Sequence, residues 1–193
     1  WDHIERIGSR AEWKPKTALI TGAGPIGLLA ALIGRQRGLE VHVLDQVTEG
    51  LKPELVAAIG ATYHHGSVAD TGVQPDVAIE CTGVAPLIFD VMDSAGANGI
   101  VCLTGVSSGG RDLSVDVGML NRRLVLENDV VFGSVNANRR HYEAGAKALA
   151  DADRDWLGRL ITRSVPLDLW KDAYTRQPTD VKVVLQFDSG SAA

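Results

Sequence analysis

Apolar residues in this chain fall into short unbroken runs, each closed by a glycine or another turn residue. The first, at 17–21, reads Thr-Ala-Leu-Ile-Thr and stops at Gly22. Similar runs at 41–44, 77–80, 100–103 and 130–132 predict four more strands. The runs are nearly continuous rather than alternating, as expected of strands covered by helices on both faces. Between them, apolar residues recur at helical spacing. A helix is predicted at 26–37, with Leu29 and Ile33 on one stripe, and another at 51–59, with Pro53 in its first turn and Gly60 as its stop. Further helices are predicted at 86–92, 119–125 and 138–151, the last carrying Tyr142, Ala146 and Leu149 on one face. Strands alternating with helices at this interval mean βαβ units and an α/β fold with a doubly wound parallel sheet. The rhythm changes after Asp151, where a strand at 161–165, a helix at 167–174 and a strand at 181–187 form a short β-α-β tail. We therefore expect a lead-in segment at 1–16, a sheet domain at 17–153, a tail at 154–188 and a small, polar, frayed end at 189–193.

Composition narrows the class. The chain has 193 residues, 45% hydrophobic and 22% charged, the balance of a globular protein with a core of its own. Nineteen Lys and Arg against 24 Asp and Glu leave a net charge of −5, unlike the basic footprint of a nucleic-acid binder. No apolar run approaches the ~18 residues of a membrane span, and the first residues form no signal peptide. Cys81 and Cys102 are too few and too far apart for a disulfide framework or a CxxC knuckle, which favours a reducing, cytoplasmic setting. Glycine is the one skewed count, at 21 residues against the usual ~7% of a chain, and glycines cluster where a doubly wound sheet needs tight turns. The sequence opens on Trp1 rather than Met, so it is expected to be part of something longer.

The chemistry concentrates at the first strand end, where Gly22-Ala23-Gly24-Pro25-Ile26-Gly27 spells G-x-G-x-x-G. Such a triplet is weak alone, but this one follows a predicted strand, opens a helix and lies inside a βαβ unit. Gly22 permits the tight turn, Gly24 lets the backbone approach a pyrophosphate, and Gly27 lets the helix pack close to the strand, which makes the domain Rossmann-type. The helix N-terminus offers amides and a positive dipole end to the phosphates. Asp45 closes the second strand 18 residues after Gly27, near the ~20 expected of an acid that accepts from ribose hydroxyls and repels a 2′-phosphate. Gln46 and Val47 beside it supply no arginine for that phosphate, so the expected cofactor is NAD in preference to NADP. An ordinary strand-end polar residue is the alternative for Asp45.

Two later strand ends, Glu80-Cys81-Thr82-Gly83 and Leu103-Thr104-Gly105-Val106, point at the same cleft, because ligands sit outside the carboxyl ends of such strands. Cys81 reads as a small cleft-facing residue, since no histidine partner marks it as a nucleophile. His3, His42, His64, His65 and His141 show no metal spacing; the adjacent His64 and His65 splay to opposite sides, which suggests a loop or surface role.

The run from Trp13 through Gly27, the turn at 80–83, and above all Gly133-Ser134-Val135-Asn136 resemble the medium-chain dehydrogenase superfamily, and within it the glucose dehydrogenase branch. The resemblance spans residues 1–188. It implies an oxidoreductase that takes hydride from C1 of D-glucose to NAD or NADP, giving gluconolactone with the help of a catalytic zinc. Matched position by position, Gly22, Gly24, Pro25, Ile26 and Gly27 fall on the pyrophosphate loop and Asp45 on the ribose selector. Cys81, Thr82, Gly83, Leu103, Gly105 and Val106 fall on backbone contacts near the nicotinamide. Val135 and Asn136 fall on the nicotinamide side, where the Asn136 amide also suits a sugar hydroxyl; a helix N-cap is the alternative role for Asn136.

The departures matter as much. Members of this branch carry an N-terminal GroES-like domain with Cys, His and acidic zinc ligands, and often a four-cysteine lobe. None of these is present, so zinc is expected only in a full-length parent enzyme and this chain alone is expected to bind NAD without oxidising glucose. The partners implied are a sugar or alcohol substrate in that parent and further copies of the chain, as a homo-dimer or homo-tetramer; no nucleic acid or membrane is implied. Residues 113–117 alternate and are expected as an edge strand for such pairing, with a surface loop as the alternative. A polyol or threonine-type dehydrogenase of the same superfamily, or a non-catalytic NAD-binding module, remains as a competing reading.

Overall fold

The strands expected at 17–21, 41–44, 77–80, 100–103 and 130–132 all form and pair in one parallel sheet. The structure, a computed structural model, describes residues 1–9, 12–109 and 112–187. In chain order the elements are α1 (Asp2–Gly8), β1 (Thr17–Thr21), α2 (Pro25–Gln36), β2 (Glu40–Leu44), α3 (Leu51–Ala58), β3 (Thr62–His64), β4 (Val77–Glu80), α4 (Ala85–Ser94) and β5 (Ile100–Leu103). They continue with α5 (Val117–Glu127), β6 (Val130–Gly133), α6 (Arg139–Ala150), α7 (Arg154–Leu160), β7 (Ile161–Pro166) and β8 (Lys182–Gln186). Six strands pair in parallel in the order β3-β2-β1-β4-β5-β6, so the winding reverses between β1 and β4. Ligands of doubly wound sheets bind at the carboxyl ends of the strands at such a reversal.

The central strands are as dry as their sequences demand. Ala18, Leu19 and Ile20 of β1 are fully buried, as are Val41, Val43, Val77 and Val101 on the neighbouring strands. Burial of such runs on both faces is the main source of stability, at roughly 25 cal/mol per Å² of apolar area. Pro25 opens α2 and leaves its own missing amide where a helix has no partner for it.

Several elements depart from the expectations. The lead-in holds a helix, α1, whose Ile4 is buried in the main core, while the Trp1 indole donates to the Ala30 carbonyl at 3.2 Å. β3 escapes the periodicity because Thr-Tyr-His is too short and polar for an apolar run, yet it forms the sheet edge against β2. Residues 113–117 form no strand: the Asp116 carboxylate accepts the Met119 amide at 2.9 Å and starts α5, so capping chemistry prevails over the alternation. His64 is no free surface residue, because its Nε2 lies 2.8 Å from Nδ1 of the buried His42. The helix at 167–174 is a 3₁₀ segment with a kink at Leu169, not an α-helix. β7 and β8 pair in parallel on either side of it. The frayed end expected at 189–193, together with residue 188, lies outside the described residues.

The change of rhythm after Asp151 coincides with α7, which the periodicity overlooked. Asp153 caps it, accepting from the Trp156 amide at 2.9 Å. The Trp156 indole donates to the Leu55 carbonyl at 2.8 Å, and its ring joins the core beneath the sheet with Leu160. Replacing Trp156→Ala removes both the ring and a buried donor, and is expected to lower the free energy of unfolding by about 3–5 kcal/mol. Urea denaturation checks this; a loss below about 1 kcal/mol would mean that α7 adds little to the core.

Candidate dinucleotide-binding site

The cleft at the β1–β4 reversal begins with a turn that only glycine can make. Gly22 has φ +91°, and its amide donates to the Leu44 carbonyl at 2.7 Å, tying the loop to β2. A Cβ on Gly22 would stand 2.9 Å from the Thr82 methyl, and one on Gly27 would stand 1.8 Å from the Gly22 carbonyl oxygen. Gly24 differs: a Cβ there meets nothing within 4 Å, so its bareness opens space in front of the loop rather than relieving a clash inside it. Gly24 is the N-cap of α2 and no side chain caps that helix. The end therefore offers amides and a positive dipole to an anion entering the open space. Ile26, more than half exposed, stands in the first turn of this helix.

Asp45, directly after β2, reaches back to the same loop. Its Oδ2 accepts the Ala23 amide at 2.6 Å and its Oδ1 the Val47 amide at 3.1 Å. The Lys52 ammonium, from the first turn of α3, bridges both oxygens at 3.2 and 3.3 Å, and this pair is nearly buried. Burial pushes the Asp45 carboxyl up, but the two amides and the Lys52 cation outweigh it and hold the group below the usual carboxylate range. Tyr63 of β3 braces the loop by donating its hydroxyl to the Val47 carbonyl. Burial, followed by the Asp45 charge, pushes its phenol up to about 12. Neither Lys52 nor Tyr63 was among the sequence-derived candidates. A lysine in the first turn of the helix after the ribose acid was the available signal for the first; β3 itself was not legible.

The strand ends beyond the reversal interlock. Gly83 has φ +69°, and a Cβ there would stand 2.6 Å from the Val106 carbonyl; a Cβ on Gly105 would stand 2.1 Å from the Gly83 nitrogen. Thr82, Gly83, Gly105 and Val106 thus form one surface beside Gly22, with Val106 largely exposed. Leu103 is half-buried, and its carbonyl accepts the Ser134 amide at 2.9 Å, bringing the 133–136 stretch alongside. Val135 and Asn136 are exposed, and the N-cap of α6 is Asn138, whose side chain accepts from the His141 amide. The capping alternative for Asn136 is thereby removed. Burial pushes the Cys81 thiol up to about 12, so it is no thiolate nucleophile. Among the described residues no group of three or more His, Cys, Asp or Glu could hold a metal ion.

Residues 1–187 match the family model described as glucose dehydrogenase C-terminus, and the chain belongs to that family. Glucose 1-dehydrogenase from Methanocella arvoryzae is 38% identical over 193 residues, covering 94% of this chain and 53% of that protein. Glucose 1-dehydrogenase 1 from Caldivirga maquilingensis is 37% identical over 185 residues, with the same coverage of 94% and 53%. Haloferax mediterranei glucose dehydrogenase, solved in complex with NADP, Zn and gluconolactone, superposes with a TM-score of 0.88 at 26% identity, covering 98% of this chain and 56% of that one. The chain spans about half the length of the curated relatives it matches.

The depressed Asp45 carboxyl gives a pH test. A carboxyl held low in the folded chain stabilises it fully above the unfolded value of about 3.9, and that contribution is lost as pH falls through the lower folded value. For Asp45→Asn, the stability deficit in urea unfolding is expected to be widest near about pH 7 and to close toward about pH 2. A deficit independent of pH would show that the charge on Asp45 plays no part.

Proposed function

We propose that this chain is the dinucleotide-binding portion of a glucose 1-dehydrogenase, holding NAD in preference to NADP while the parent enzyme oxidises D-glucose to gluconolactone. The observation that carries the reading is the loop at 22–27. Its turn, its close helix packing and its open front are each a glycine property, and Asp45 is bonded to its backbone. Gly22, Gly24, Pro25, Ile26 and Gly27 would hold the pyrophosphate, and Asp45 the adenosine ribose. Cys81, Thr82, Gly83, Leu103, Gly105 and Val106 would line the nicotinamide side with Val135, and Asn136 would reach both that side and a sugar hydroxyl. When bound, the nicotinamide supplies the hydride acceptor. The protein's part is to orient it and keep water from the transferred hydride. The described residues hold no cluster of ligands that would fit zinc.

Asp45 supports NAD because both its oxygens accept, which matches ribose hydroxyls and opposes a 2′-phosphate. Lys52 moderates that preference by neutralising the acid. The proposed setting is the cytoplasm: both cysteines are free, and none of the described helices is long and apolar enough to cross a membrane. We also propose self-association as a dimer or tetramer, since β6 ends the sheet and neither α5 nor α6 has a residue described as buried. Sedimentation tests this, and a monomer at all concentrations overturns it.

Fluorescence titration with NADH and NADPH tests the cofactor reading. NADH is expected to bind the tighter; tighter NADPH overturns the preference, and no binding of either overturns the reading itself. Gly24→Ala adds a Cβ that meets nothing within 4 Å and is expected to leave thermal stability nearly unchanged while weakening NADH by roughly tenfold or more. Unweakened binding would remove Gly24 from the pyrophosphate site.

A further inference from the structure

A second acid stands at the carboxyl end of the sheet, and the dinucleotide reading leaves it without a role. Glu80, the last residue of β4, is fully buried at the reversal between β1 and β4. Its Oε1 accepts the Thr82 amide at 2.6 Å, the Thr82 hydroxyl, the Gly83 amide at 3.1 Å and the Thr21 hydroxyl at 3.5 Å. Its Oε2 also accepts the Gly83 amide at 3.1 Å. The Thr82 and Gly83 amides can only donate, and the Thr21 and Thr82 hydroxyls are free to donate as well, the arrangement that an ionised carboxylate calls for. Among the described residues no ion pair reaches it, in contrast to Asp45 with its lysine.

The same residue ties the site together. Its backbone carbonyl accepts the Thr104 amide at 2.8 Å, the Gly105 amide at 3.0 Å and the Thr104 hydroxyl at 2.8 Å. A Cβ on Gly105 would stand 2.6 Å from Oε2, so only a hydrogen separates that strand end from the charge. Thr82, held by the carboxylate, also packs against Gly22 of the pyrophosphate loop. The acid therefore lies directly beneath the backbone segments proposed above for the nicotinamide.

We propose that Glu80 is a positioning residue whose unpaired buried charge favours the oxidised, positively charged nicotinamide over the reduced, neutral one. The inference rests on the dinucleotide reading. Hydride transfer adds two electrons and one proton to the ring and removes its positive charge, so an anion below the site stabilises the oxidised form alone. Protein of low dielectric surrounds Glu80, and solvent ions do not screen it as they would a surface charge. The hydrogen bonds to Thr82 and Gly83 serve both forms equally and shape the surface without discriminating between them.

The test measures dissociation constants of the chain for NAD⁺ by calorimetry and for NADH by fluorescence, in wild type, Glu80→Gln and Glu80→Asp. The Gln variant keeps a similar shape and loses the charge; it is expected to weaken NAD⁺ relative to NADH by about tenfold, the order of one unit charge acting across a protein site. The Asp variant keeps the charge and is expected to keep the wild-type ratio, even where both affinities fall. Equal weakening of both forms in the Gln variant would make Glu80 purely structural and overturn the proposal, as would the same loss of ratio in the Asp variant. The wild type gives a further check that needs no folded variant. Raising salt from roughly 0.1 to 1 M is expected to leave the NAD⁺ to NADH ratio unchanged, since only exposed charges are screened; a ratio that collapses overturns the inference. A wild-type chain that binds neither form overturns the dinucleotide reading, and this one with it.

Discussion

The closeness of α2 to β1 is set by a single missing carbon. A Cβ on Gly27 would sit 1.8 Å from the Gly22 carbonyl oxygen, a separation no pair of non-bonded heavy atoms tolerates. With hydrogen there instead, the helix starts directly beneath the strand end and its first turn faces the cleft. Gly22 can turn at φ +91° to make the approach, and its amide bonds to β2 through Leu44. From this contact follow the open front at Gly24 and the short reach from Ala23 to Asp45.

The two acids of the cleft are stabilised in opposite ways. Asp45 has amides and the Lys52 cation, which together overcome its burial. Glu80 is more deeply buried and has only neutral donors, from Thr21, Thr82 and Gly83. A buried charge without a counterion is costly unless its hydrogen bonds are complete. The loops that complete those bonds are also the loops that face the cleft at the β1–β4 reversal. The folded shape of the strand ends and the electrostatics of the site are thus one arrangement.

Much of this was legible along the chain. β1, β2, β4 and β5 announce themselves because strands buried on both faces must be apolar throughout, and the helices between them follow from spacing and from Pro53 and Gly60. The glycine loop could be placed because its neighbours, a strand before and a helix after, were already visible. What escaped detection has a common cause. β3 is three polar residues held by pairing with β2, α1 is held by Ile4 and Trp1 meeting distant residues, and α7 is held by Trp156 reaching Leu55. At residues 113–117 the alternation suggested a strand, but the surface-loop alternative holds: 113–116 are exposed loop, and Asp116 caps the helix that begins at Val117.

The sequence by itself therefore determined the alternation of strands and helices, the glycine loop after β1 and the acid that follows β2, because each is a local property of backbone freedom, hydrophobic run or spacing. The tertiary structure alone decided which partners those residues meet. Lys52 on Asp45, Tyr63 on Val47, His42 on His64 and the Glu80 carboxylate between two strand ends join residues from separate elements. Only packing sets such distances, and with them the local dielectric and charge of the glycine-rich cleft.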